Sequence, residues 1–176
     1  FYQGLLTNLE QLGVDQINYI PVKSYNAFKS STHQSNTNIN YIYSKPLKRF
    51  HRIAYQQKMN YLYNDLIKKI HLNDIQIIHA HKLFSDGGVA LRLKRKYNIP
   101  YIVAIRNSDL FVFFKYMKHL KKTGKQILAN AEKIVLISPQ HKIHLKKILP
   151  SFYSKIAHKI INIPNGINNF WLENQT

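Results

Sequence analysis

Apolar residues along this chain come in two patterns: short unbroken runs, and longer stretches in which they recur at helical spacing. The pattern is clearest from Ile75 to Arg106. Ile75, Ile77 and Ile78 form a β-branched run ending in His79-Ala80-His81, and a polar turn with Asp86-Gly87-Gly88 follows. Val89, Ala90, Leu93 and Tyr97 then lie on one stripe with Arg92, Arg95 and Lys96 on the other face, before a second apolar run, Tyr101 to Ile105. Runs without polar alternation are how strands buried on both faces of a parallel sheet read, and a one-sided stripe is an amphipathic helix. The stretch therefore predicts a βαβ unit. Asp86 stands where it can cap the helix, and Asn98-Ile99-Pro100 stops it, because the residue before a proline avoids the helical region.

The remaining pattern extends this alternation. Leu5, Leu6, Leu9 and Leu12 predict a helix over 1–12 with Gly13 as its stop, and Gln16 to Val22 predicts a strand. Lys23 to Asn40 reads as a long polar loop in which His33 is solvated, and Arg49 to His71 as a long helix closed by Asn73 and Asp74. Leu110 to Ala131 carries Phe111, Phe114, Met117, Leu120, Ile127 and Leu128 against Lys115, Lys118, Lys121, Lys122 and Lys125. Lys133 to Ser138 is a further buried strand, and Ser138-Pro139 starts a helix whose His141, Lys142, His144, Lys146 and Lys147 form a mostly solvated basic face. Ile160 to Ile163 makes a last strand before Pro164-Asn165-Gly166, and 167–176, with Trp171, resembles the start of a connection. The expectation is one α/β domain with a doubly wound, mostly parallel, Rossmann-like sheet. Such sheets open on a strand and this chain opens on a helix, so the first strand is expected upstream of Phe1.

Bulk properties narrow the reading. The 176 residues and 45% hydrophobic content suffice for a domain with a real core. The absence of cysteine rules out disulfides and thiolate metal sites and favours a reducing setting. No run approaches the ~18 apolar residues of a spanning helix, and no stretch reads as a signal peptide. The unusual quantity is charge: 26 Lys and Arg against 8 Asp and Glu give +18, a field that attracts polyanions of any kind. A composition rich in Lys, Asn and Ile is a competing source of that excess. The lysine-faced stretch from Leu110 to Ala131 fits an interfacial helix on an anionic membrane, and equally a surface helix with its greasy side in the core.

In open parallel sheets, polar groups just past the carboxyl ends of the strands line the ligand crevice. That places His79 and His81 after one strand and Arg106, Asn107, Ser108 and Asp109 after the next. Nothing in the chain forms a Ser-His-Asp or paired-acid constellation. No RNP, KH or zinc-finger motif supports a nucleic-acid reading, which together with a non-catalytic interaction domain is the alternative to an enzyme.

Four blocks carry a resemblance: I-I-H-A-H at 77–81 with S-D-G-G at 85–88, I-P-Y-I-V-A-I-R-N-S-D at 99–109, A-N-A-E-K-I-V-L-I-S-P at 129–139, and I-P-N-G-I-N at 163–168. In this order and spacing they resemble the amino-terminal domain of retaining GT-B glycosyltransferases of family four, also called glycosyltransferase group 1. The resemblance implies an acceptor-side Rossmann-like domain over 1–168, the start of an interdomain linker over 169–176, and a carboxyl-terminal donor-binding domain beyond Thr176. It implies a full-length hexosyltransferase using a nucleotide sugar and a glycan or lipid-linked acceptor in bacterial cell-envelope polysaccharide biosynthesis. The enzyme would lie cytoplasmic and peripheral to the inner face of the plasma membrane, need no metal or other cofactor, and be inactive as this fragment alone.

Residue by residue, the resemblance gives His81 the catalytic position, touching the acceptor or the transferring sugar. A histidine suits it because the ring can donate to a hydroxyl or phosphate oxygen and its charge is adjustable near neutrality. His79, Arg106, Asn107 and Asp109 become acceptor-binding candidates: Arg106 for a phosphate in fork geometry, Asp109 for a sugar hydroxyl. Packing explains His79 as comfortably, and an internal Arg106–Asp109 ion pair is a competing role. A metal on the H-x-H pair lacks a third ligand in the sequence. Asn165 and Gly166 match the corner between domains that faces the nucleotide, where glycine allows a positive φ, and a simple turn is the alternative. Lys115, Lys118, Lys121, Lys122 and Lys125 would meet the membrane surface. Retaining transfer in this fold is described as same-face attack assisted by the leaving phosphate, so no carboxylate of this half need be a nucleophile.

Overall fold

The computed structural model describes residues 2–22, 40–45, 47–52 and 54–166; the loop expected from Lys23 to Asn40, with His33, lies outside them except for Asn40, which is in a strand, and 167–176 with Trp171 lie outside them too. The chain divides into two compact units, residues 1–70 with 165–176, and residues 71–164.

The first unit contains α1 (Tyr2–Gln11), β1 (Ile17–Ile20), β2 (Asn40–Tyr43) and α2 (Tyr55–Leu66). Gly13 ends α1 at φ 74°, where its N–H bonds the Glu10 carbonyl at 2.9 Å, a conformation glycine adopts without steric cost. β1 and β2 pair in parallel, Ile17 opposite Asn40 and Ile20 opposite Tyr43. The long helix expected over 49–71 is shorter: a 3₁₀ turn covers Arg49–Arg52 and α2 begins only at Tyr55. Within this unit the Tyr19 hydroxyl donates to Asp65 at 2.8 Å, and the Lys69 ammonium holds the same carboxylate at 3.0 Å. Burial first, and then Asp65, push the Tyr19 phenol well above its ordinary range, so it stays a donor.

The second unit is a four-stranded sheet in the order β3 (Ile78–Ala80), β4 (Tyr101–Ile105), β5 (Lys133–Leu136), β6 (Ile160–Asn162), parallel throughout. The strands are linked by α3 (Gly87–Tyr97), by an irregular helical segment leading into α4 (Lys121–Asn130), and by α5 (Pro139–Ile148) and α6 (Pro150–Ile156). The protein is thus α/β with parallel sheets, a Rossmann-like arrangement. β4 is buried on both faces, as its unbroken apolar run predicts, whereas β3 lies at one end of this sheet and leaves Ile77, just before it, 55% exposed. Asp86 occupies the cap position of α3 but makes no side-chain capping bond; its carbonyl instead accepts from Val89 and Ala90. Asn98 closes the helix in the left-handed region at φ 57°, its N–H on the Lys94 carbonyl.

Two glycines let these layers close. A Cβ on Gly87 would stand 2.8 Å from Ile127, and one on Gly124 would stand 2.8 Å from the Phe84 ring and 2.9 Å from the Phe114 ring. Phe84 is itself held between Phe113, stacked at 4.8 Å, and Phe114, edge-on at 5.2 Å, so the rings have little room to yield. Gly124→Ala is expected to lose about 1–3 kcal/mol by overpacking, against the roughly 1 kcal/mol that alanine gains over glycine in a helix. A urea midpoint that falls with unchanged slope is the expected readout; an unchanged or higher midpoint would show that the aromatic cluster gives way.

The expected single amphipathic helix over 110–131 is not formed. A π-helical turn covers Asp109–Phe113, one α turn Phe114–Tyr116, and the chain breaks at Met117 (φ −100°, ψ 61°) before a 3₁₀ turn and α4. The break follows from the aromatic cluster: Phe113 and Phe114 are drawn onto Phe84 while Ile127 and Leu128 are buried from α4, and one straight rod does not deliver both sets. The five lysines therefore do not share one helix face. Lys115, Lys118 and Lys122 are exposed, Lys121 and Lys125 half-buried, and the Lys125 ammonium sits 5.6 Å over the Phe152 ring.

Candidate active site at the strand ends

The carboxyl ends of β3, β4 and β5 lie side by side in the second unit, and they gather most of the residues singled out above. The register pairs Ala80 with Val103 and Ile105 with Leu136, so His81 and Arg106 leave adjacent strands at the same end of the sheet.

Asp109 is the keystone of this corner. It is 1% exposed; one carboxylate oxygen accepts from the backbone N–H of Arg106 at 2.9 Å and of Leu83 at 3.2 Å, and the other from Phe84 at 3.3 Å. One side chain thereby ties the loop after β3 to the turn after β4. Burial pushes its carboxyl above the ordinary range, and the three backbone donors pull it back. The link to Arg106 seen here runs through that residue's backbone, while the Arg106 side chain donates from Nε to the His81 carbonyl at 3.2 Å. Guanidinium and histidine backbone are locked together.

His79 and His81 point to the same side of β3, their rings 4.1 Å apart, while Ala80 between them is buried on the other side. His81 is half-buried and its pKa falls from 6.5 to about 4, first through burial, then through His79 and Arg106. His79 keeps accessible surface; the protein packed around its ring, and then Arg106, also lower its pKa. Both rings are thus neutral at pH 7, each with one donor and one acceptor nitrogen, beside a permanently charged guanidinium. Among the described residues no three His, Asp or Glu side chains converge as a metal site.

Asn107 is exposed at the mouth of the corner, and its Oδ1 lies 2.6 Å from Nε2 of His141. His141 is the residue that the reading of a solvated basic face overlooked: it is 4% exposed. The signal was its offset from the helix start. Ser138 caps α5 by accepting from Gln140 N–H at 3.2 Å, Pro139 fills the first helical position, and His141 then falls on the first turn, against the end of β4. Burial and then His144 lower its pKa, partly offset by the Ile105 backbone, with Arg106 a minor contributor in the lowering sense. Asn165 and Gly166 lie in the other unit, both exposed. Gly166 is not in the positive-φ region and a Cβ there would meet nothing within 4 Å, so neither backbone conformation nor space demands glycine at that position.

Comparison with known proteins gives this corner a family. The chain is 28% identical over 129 residues to an uncharacterized glycosyltransferase of Methanocaldococcus jannaschii, covering 73% of this chain and 34% of that protein. It is 29% identical over 72 residues to TuaC of Bacillus subtilis, provisionally named a teichuronic acid biosynthesis glycosyltransferase, covering 41% of this chain and 18% of that one. The chain thus spans about a third or less of the curated relatives it matches. The family model described as Glycosyltransferase Family 4 matches residues 8–169, a span that holds both parallel sheets and every strand-end residue described above, and on that match the chain belongs to Glycosyltransferase Family 4.

Proposed function

We propose that the chain is the acceptor-binding half of a nucleotide-sugar-dependent, retaining glycosyltransferase of GT-B architecture acting in cell-envelope glycan biosynthesis. The observation that carries this reading is the convergence of His79, His81, Arg106 and Asn107 at the carboxyl ends of β3 and β4, where parallel sheets bind ligands. In this reading neutral His81 hydrogen-bonds the reacting sugar or acceptor hydroxyl and Arg106 holds an anionic group of the acceptor. Asn107 and His79 complete the contact surface. Asp109, with its oxygens occupied by backbone N–H groups, acts as a positioning residue rather than a sugar ligand. The teichuronic acid name of one relative supports an envelope polymer as the product class.

The reading is tested on the full-length protein by transfer of labelled sugar from a panel of nucleotide sugars to envelope lipid and glycan fractions. Arg106→Lys keeps the charge and loses the fork, and is expected to raise the acceptor KM about tenfold or more while leaving the donor KM within a factor of about two. Equal changes in both constants, or no transfer by the wild type with any donor, would sink it.

Association with an anionic membrane surface belongs to the same proposal. It is supported by Phe111, Val112 and Tyr116, which are 42%, 46% and 69% exposed on the π turn and the turn after it, beside exposed Lys115 and Lys118. No helix of the described residues is long and apolar enough to cross a membrane. Co-sedimentation with vesicles rich in phosphatidylglycerol should occur at low salt and weaken as salt rises; failure to pellet at low salt would remove this part.

A further inference from the structure

We propose that His141 is a positioning residue that holds the Asn107 amide with its NH₂ group turned into the strand-end crevice, making Asn107 a fixed donor to an oxygen of the acceptor. The inference rests on the reading of that crevice as an acceptor site.

The geometry is a two-state problem in one proton and one amide. Asn107 Oδ1 is an acceptor only, so the 2.6 Å contact requires the proton on Nε2 of the neutral His141 ring. The ring then offers a lone pair on buried Nδ1, and the Asn107 NH₂ points away from it. In the opposite arrangement the proton sits on Nδ1, which makes no hydrogen bond, Nε2 accepts from the Asn107 NH₂, and the crevice meets a carbonyl oxygen. The first arrangement spends the ring proton where an acceptor stands, on Asn107 Oδ1, and presents a donor outward. That choice suits the company Asn107 keeps, because a donor amide beside the Arg106 guanidinium addresses lone pairs of hydroxyl, phosphate or carboxylate oxygens.

Both partners are held rigidly enough for the choice to matter. His141 is 4% exposed and its backbone N–H closes on the Ser138 carbonyl at 3.1 Å, fixing it on the first turn of α5. α5 is braced against the π turn that follows Asn107 by His144, whose ring meets Phe111 edge-on at 4.9 Å. An exposed asparagine side chain would otherwise rotate freely, and pre-setting it removes an ordering cost from acceptor binding.

Two measurements test the proposal. Long-range ¹⁵N–¹H correlation on the chain labelled at histidine should show His141 as the Nε2–H tautomer at neutral pH; the Nδ1–H tautomer overturns the assignment whatever the chain does as an enzyme. In the full-length protein, His141→Phe is expected to raise the acceptor KM about tenfold, with smaller changes in kcat and donor KM. His141→Gln, whose amide can still donate to Oδ1, should recover most of that loss, and His141→Phe should add little in an Asn107→Ala background. Parallel losses in kcat and both KM values, no recovery by Gln at unchanged Tm, or additivity with Asn107→Ala would reduce His141 to a packing residue. A wild type that transfers no sugar would defeat the functional reading, and the tautomer measurement would still decide the geometry.

Discussion

Replacing Asp109 with alanine is expected to lower stability by about 3–5 kcal/mol, on the order of 10 °C in Tm, and to loosen the loop over 81–86. The magnitude comes from what would be left behind. The N–H groups of Leu83 and Phe84 belong to residues that are 0% and 1% exposed, and that of Arg106 is partly covered; without the carboxylate, two buried donors have no acceptor. Each such group costs about 1–3 kcal/mol. Asn at this position keeps an oxygen for two of the donors but turns an NH₂ toward the third, so Asp109→Asn should fall between wild type and Asp109→Ala. The sign of the pH effect separates geometry from charge. The native carboxyl titrates above its unfolded value, so the folded state binds the proton more tightly, and Asp109's own contribution to stability weakens as pH rises through that window. Thermal melts of the three proteins from mildly acidic to neutral pH, with hydrogen exchange at Leu83 and Phe84, would settle the matter; a melt of Asp109→Ala within about 1 kcal/mol of wild type would show that water replaces the carboxylate.

The second large effect is expected at His81. His81→Ala should reduce kcat/KM for glycosyl transfer by roughly a hundredfold, the loss typical when a group that orients the reacting atoms is removed. It should also change the acid limb of stability. The folded ring titrates at about 4 against 6.5 for a free imidazole, so below pH 6.5 the unfolded chain takes up a proton that the folded ring refuses. The His81 contribution should therefore be flat above pH 6.5 and decline toward pH 4. The loss assignable to this half-buried ring is at most roughly 3 kcal/mol, and closer to 1–2 once solvent screening is allowed for. His79 and His141 act with the same sign, so His81→Gln should shallow the decline rather than abolish it. An unchanged acid limb in His81→Gln would mean the ring is solvated; an undiminished kcat/KM would take it out of the reaction.

The parts of this structure that depend on local pattern were legible in the sequence. β4 is an unbroken apolar run and β5 is one after Lys133, α3 carries a stripe bounded by Gly87 and Asn98, and α5 starts at a Ser-Pro pair; each is decided by neighbours within a few residues. What stayed hidden depends on distant partners. β2 is four residues, Asn-Tyr-Ile-Tyr, whose strand character comes from pairing with β1 more than twenty positions earlier. The stripe over 110–131 is a sound helical pattern, but its first aromatics are claimed by Phe84, a residue of another loop, and the helix breaks to satisfy them. At the site, residue type and strand-end position pointed to His81, Arg106 and Asn107. They could not tell that Asp109 faces three backbone N–H groups or that His141 turns inward, because both facts belong to the way adjacent strand ends meet.

The π-helical turn from Asp109 to Phe113 amounts to one residue more than an ordinary helix would use to cover the same rise. Excising a single exposed position there, such as Val112, would remove that surplus and let the segment close into the common geometry, with everything behind it kept near its present phase. Asp109 upstream would keep its anchor, and Phe113 and Phe114 downstream would stay against Phe84. A shortened protein with both the acidic latch and the aromatic plug in place would separate the contribution of the turn's exposed surface from that of the core beneath it.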